Sequence, residues 1–160
     1  MKNKLFLIVL SLLLPVMLSA KPLQLPKPGV KDTCPVCGMF VAKYPDWVAT
    51  VQYEKHSHHF DGAKDLFKYL LGMDKWAPNH KAADIKAIGV TDYYELQMID
   101  AHDAFFVIGS DVLGPMGHEL IPLASEEDAK EFIKDHKGKK ILRFKDINKE
   151  ILGKLDKGVS

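Results

Sequence analysis

The chain has 160 residues, with 22 basic and 21 acidic side chains, a formal net charge of +1 and only two cysteines. That near balance gives no excess of positive charge to draw a nucleic acid or an acidic surface, and no nucleic acid is expected as a partner. The length suits one compact domain or two small subdomains, with enough core to fold without staples.

Taken in chain order, the first twenty residues read as a secretory signal peptide. Lys2 and Lys4 form a positive n-region, residues 5–18 form an apolar run broken by Pro15, and "LSA" ending at Ala20 fits a small-residue cleavage site. The apolar run is shorter than the roughly 20 residues of a spanning helix. Cleavage before Lys21 takes the net charge from +1 to −1. No cysteine directly follows the cleavage site, so the expectation is a soluble periplasmic protein with no stable membrane anchor. Residues 21–33 carry three prolines and a glycine without an apolar period, and form an extended leader.

Both cysteines follow, in "DTCPVCGMFVAKYP", residues 32–45. The β-branched and aromatic "WVATVQY" (47–53) predicts a strand, and "KHSHHF" (55–60) a second one paired with it. Asp61 is read as the cap of a helix whose apolar stripe is Leu66, Phe67, Leu70 and Leu71, ended by Gly72. A loop covers residues 76–87, and "IGVTDYYELQMIDA" is one long strand or two short ones. The order then repeats. Residues 104–110 are a strand, and a glycine-rich turn carrying Met116 leads into another at 118–124. Ser125 caps a helix with Glu127 and Asp128 in its first turn, "KKILRFKDI" is a strand, and residues 146–155 close the chain as a helix. The fold class is therefore α+β: two ββαβ-type units with antiparallel sheets, residues 34–97 and 98–160, after the signal peptide and leader.

The cysteine stretch carries the chemistry. An oxidising compartment makes a disulfide the default for two cysteines, and C-x-x-C is also the spacing of metal knuckles and redox pairs. Cys37 and Met39 share a face only in extended or knuckle backbone, and Gly38 permits such a turn. "CGM" then presents a thiolate and a thioether to one point, the soft ligands that select Cu(I). The bland alternative is that Met39 fills core. Met116 lies between Pro115 and Gly117 at a turn tip, where core methionines are uncommon, with His118 beside it. In "HSHHF", His56 and His58 share one strand face and His59 takes the other. Solvent-facing strand histidines are the competing reading of this cluster. His136, in the last turn of its helix, suits the dipole and needs no ligand role.

"CPVCGMFVAKYPDW", "HHFDG" leading into a helix, and "GPMGHELIPLASEEDAKEFIKDH" together resemble the NosL family, accessory proteins of nitrous oxide reductase. The resemblance implies an exported Cu(I)-binding protein that delivers copper to that reductase, and a fold of two ββαβ units akin to part of organomercurial lyase. By position, it places copper ligands at Cys37, Met39 and Met116, with Cys34 as a further candidate. His58, His59 and His118 stay open as additional ligands. Two other functions compete. A thiol–disulfide oxidoreductase using Cys34 and Cys37 requires a reactive cysteine at a helix N-terminus. A zinc-stapled interaction domain requires that chelation unfold the protein.

Overall fold

A computed structural model describes residues 19–158. The expected signal peptide lies outside them, save for Ser19 and Ala20. No helix among the described residues is long and apolar enough to cross a membrane.

The first sheet is built from β1 (Ala49–Gln52), β2 (Ser57–Phe60), β3 (Ala87–Thr91) and β4 (Met98–Asp100), all antiparallel, in the order β2-β1-β3-β4. The central β1 is covered on both faces. Ala49, Thr50 and Val51 are all buried, which explains why this strand lacks the clean alternation of a half-exposed one. The ambiguous "IGVTDYYELQMIDA" resolves into β3 and β4, because Asp92 turns the chain by accepting from the Glu95 amide at 2.7 Å. The leader runs along the free edge of β4. Pro22 bridges Ile99, the Leu23 amide donates to the Met98 carbonyl, and Leu25 packs over Gly89.

Helix α1 (Ala63–Leu71) covers the opposite face of this sheet, burying Leu66, Phe67 and Tyr69. A short helix α2 (Met73–Trp76) follows directly after Gly72. Sequence reading ends the helical segment at Gly72. The chain instead kinks there and makes one more turn, with Trp76 bonded back to the Gly72 carbonyl.

The second sheet has β5 (Phe105–Ile108), β8 (Ile121–Leu123) and β9 (Lys140–Arg143), in the order β8-β5-β9. It carries α3 (Glu126–Asp135), whose start is fixed by Ser125 accepting from the Asp128 amide at 3.1 Å. In each sheet the first strand is central, flanked by its hairpin partner and by the strand that follows the helix. That shared order is the physical content of the repeat expected from the sequence. Between β5 and β8 the chain forms a separate two-stranded hairpin, β6 (Leu113–Gly114) and β7 (Gly117–His118). The single strand expected at 118–124 is therefore broken at Glu119 and Leu120. Helix α4 (Lys149–Asp156), capped by Asn148, packs against α1. The larger core cluster contains residues from both sheets and from α1, including Phe60, Phe106 and Leu142 from the sheets and Phe67 from the helix.

Candidate metal centre

The cysteines sit in a tight knuckle. Thr33 and Phe40 form an antiparallel bridge, the Cys34 amide donates to the Met39 carbonyl at 2.9 Å, and the Gly38 amide donates to the Cys34 carbonyl at 2.9 Å. Gly38 adopts φ 78°, a left-handed conformation that a side chain would strain. Both thiols are free. Cys34 is 2% exposed, whereas Cys37 and Met39 are half-buried.

Two carboxylates from the start of α1 close on the sulfurs. Cys37 Sγ donates to Asp61 Oδ1 at 3.1 Å and Cys34 Sγ to Asp65 Oδ2 at 3.5 Å. Donor atoms of Cys34, Cys37, Asp61 and Asp65 all lie within 4.8 Å of one another. Asp61 was expected as a helix cap. It caps nothing: Gly62 is the cap residue, without a side-chain bond, and the Lys64 amide is taken by Glu119 from the second sheet's loop. Asp61 is thus released to face Cys37, and its Oδ2 is buried with no hydrogen-bond partner. Asp65 Oδ1 faces Lys68 Nζ at 3.2 Å as an ion pair.

This environment holds protons on sulfur. Burial pushes the Cys34 thiol up to about 11. Burial first, and the bond to Asp61 with it, raise Cys37 further. A thiolate among buried carboxylates needs a cation, and the uncompensated Asp61 oxygen points to the same requirement. A bound metal would replace the thiol protons.

Met116 occupies the tip of the β6–β7 hairpin, followed by Gly117 at φ 81°, with its side chain 43% exposed. What ties this turn to the cysteine cluster is Lys64, adjacent to Asp65, whose Nζ donates to the Met116 carbonyl at 2.9 Å. So the structure brings Cys34 and Cys37 together directly, keeps Met39 in their turn, and anchors the Met116 turn to the same end of α1. It takes the histidines elsewhere. His59 bonds Thr50 on the leader side of the sheet, His58 bonds Tyr69, and His118 packs beside Gly158. Sequence reading missed Asp61 and Asp65 as site residues. The available signal was their i, i+4 spacing at the first turn of the helix, which puts both on one face.

The fold and site define a small α+β protein with a knuckle of free thiols backed by carboxylates, a class of metal-binding protein. Residues 27–152 match the family model NosL, and the chain belongs to the NosL family. It is 27% identical over 128 residues to a protein of Stutzerimonas stutzeri named copper-binding lipoprotein NosL, covering 76% of this chain and 64% of that one. It therefore spans slightly less than two thirds of that relative's length. The crystal structure of the copper chaperone NosL from Shewanella denitrificans superposes with a TM-score of 0.67 at 25% identity, covering 81% of this chain and 99% of the other. The solution structure of apo-NosL from Achromobacter cycloclastes matches with a TM-score of 0.45 at 27% identity, over 65% and 87% of the two chains.

Proposed function

We propose that this chain is an exported carrier of Cu(I), held by Cys37, Met39 and Met116 with Cys34 beside them. It passes the ion to a copper acceptor, nitrous oxide reductase, and turns over no substrate. The observation that carries the reading is the pair of free thiols in one knuckle, one buried and one half-open, against a buried carboxylate oxygen with no partner. The names of two relatives, a copper-binding lipoprotein and a copper chaperone, agree with it. A carrier needs an open site of low coordination, so that an acceptor can add ligands and remove the ion. The half-open Cys37 suits that role, as does the exposed Met116.

The redox alternative fits less well. Neither cysteine begins a helix, and burial raises both thiols, whereas a nucleophilic cysteine needs a depressed pKa.

The test is anaerobic competition of the reduced mature protein against a calibrated Cu(I) chelator. Cys37→Ser is expected to abolish tight binding. Met116→Leu should weaken it roughly 10- to 100-fold, the range for loss of a supporting group at a metal site. Cys34→Ser should matter less than Cys37→Ser. Equal losses at the two cysteines would show a C-x-x-C pair instead, and absence of Cu(I) binding would end the proposal. Mass spectrometry of the exported protein addresses location, with a chain beginning near Lys21 expected.

A further inference from the structure

A second group of metal-ligating side chains lies apart from the cysteine knuckle. The edge strand β2 and the turn before it supply His58 and His56, and the loop after α2 supplies His80. One ring nitrogen from each lies within 4.8 Å of the others. His56 Nε2 and His80 Nε2 are 2.9 Å apart, and the three rings pack with centroids 4.9 to 5.2 Å from each other.

The surroundings orient these rings. His58 Nδ1 bonds the Tyr69 hydroxyl at 2.7 Å, and that hydroxyl meets the Tyr53 hydroxyl at 2.7 Å. A phenol on Nδ1 fixes the ring, and in the tautomer with the proton on Nδ1 the Nε2 lone pair is free to bind an ion, the arrangement in which metal-bound histidines are commonly held. The Tyr53 ring stacks on His56 at 4.9 Å and 15° and lies 4.5 Å from His80. His56 and His80 also line a surface cavity of about 250 Å³, together with Tyr53 and Asp84, which gives an ion a way in.

The bland account is a histidine pair sharing one proton over a tyrosine. It explains the contact between His56 and His80. It does not explain why a third imidazole, from the strand, brings a ring nitrogen within 4.8 Å of both while its Nδ1 is held by Tyr69.

We propose that His56, His58 and His80 form a second metal site, which takes a borderline divalent ion of the Zn²⁺ or Cu²⁺ type through three imidazole nitrogens, with solvent completing its coordination. Imidazole without thiolate suits these ions. Metal–nitrogen bonds of about 2.0–2.1 Å in tetrahedral geometry put nitrogens roughly 3.3 Å apart. His56 and His80 therefore have to separate by a few tenths of an ångström, while the wider spacings, up to 4.8 Å, have to draw in, and His80 lies in a loop rather than in a helix or strand. The site does not depend on the copper reading of the cysteines.

The experiment uses the mature chain, with Zn²⁺ alone as probe and the histidine ring nitrogens observed by NMR. One equivalent beyond any cysteine-bound zinc is expected to shift the rings of His56, His58 and His80 together, leaving His102 and His136 in place. His80→Asn, at a half-exposed loop position, should lower that affinity at least 10-fold while circular dichroism and unfolding stay as in the wild type. His102→Asn should change neither. If the three rings do not move, or if His80→Asn binds Zn²⁺ as tightly as the wild type, the site does not exist.

Discussion

The thiol of Cys37 donates to Asp61 Oδ1 at 3.1 Å, and that bond helps to keep the proton on sulfur. A second carboxylate does the same for Cys34 at 3.5 Å. Both thiols titrate well above neutrality, so both are protonated at pH 7. A metal that binds a thiolate must release that proton. If Cys37 is the dominant thiolate ligand, Cu(I) affinity rises about tenfold per pH unit between pH 6 and 8, since one proton is displaced per ion. Chelator competition at several pH values, corrected for the chelator's own protonation, reads this slope. A rise near a hundredfold per unit would mean that both thiols ionise, and a flat profile would contradict the raised thiol pKa values.

Asp61→Asn tests the same contact without metal. The substitution removes the carboxylate charge that favours the protonated thiol and supplies an amide N–H that can donate to a thiolate, so the Cys37 pKa falls and more thiolate is present at a given pH. Alkylation of Cys37 in the metal-free protein at pH 8 should therefore run several-fold faster than in the wild type. Cys34, which bonds Asp65 and is buried, should change little. Peptide mapping by mass spectrometry distinguishes the two sites. An unchanged Cys37 rate would mean that burial alone controls the thiol.

What the sequence disclosed follows from how local each feature is. The β-branched and aromatic runs at residues 49–52 and 105–108, and the serine cap at Ser125, are determined by neighbours in the chain, and they appear as expected. The knuckle around Gly38 was legible for the same reason. The carboxylates behind the thiols were not. Asp61 looks like a cap because Asp before a helix usually is one. Here the amide of Lys64 is claimed by Glu119, 55 residues away. The histidine trio depends likewise on a loop returning His80 to the turn before β2, 24 residues earlier. Such pairings depend on how the two sheets and their connecting loops pack, and a single sequence carries no local sign of that.

Lys64 links the helix to the hairpin that bears Met116. It is 1% exposed, its ammonium holds the Met116 carbonyl at 2.9 Å, and Asp156 lies 3.3 Å away. Lys64→Met leaves that carbonyl without its donor and removes a positive charge beside the buried Glu119, at a cost of about 1–3 kcal/mol. Urea unfolding measures it. If Met116 is a copper ligand positioned by this contact, Lys64→Met and Met116→Leu act on one element, and their effects on Cu(I) affinity fall short of additive in a double-mutant cycle. Fully additive losses would separate Lys64 from the positioning of Met116.

Gly62 governs how the second sheet's loop seats on α1. Its φ of 179° is extended backbone open to any residue, so the constraint is space alone. A Cβ here would collide with Glu119 Oε2 and stand 3.0 Å from its Cδ. Glu119 cannot easily retreat. It is buried, and its Oε1 accepts from the amides of Lys64 and Leu120, sealing the start of α1. Moving it would leave a helix-start amide and a carboxyl group unpaired in the interior. Gly62→Ala should therefore destabilise the protein by about 1–3 kcal/mol through overpacking, seen as a lower urea midpoint with an unchanged m-value. In a Glu119→Ala background, where the obstructing carboxyl is gone, the same substitution should cost much less, because the two residues touch and their effects couple. An equal cost in both backgrounds would mean that the penalty arises somewhere other than the contact between Gly62 and Glu119.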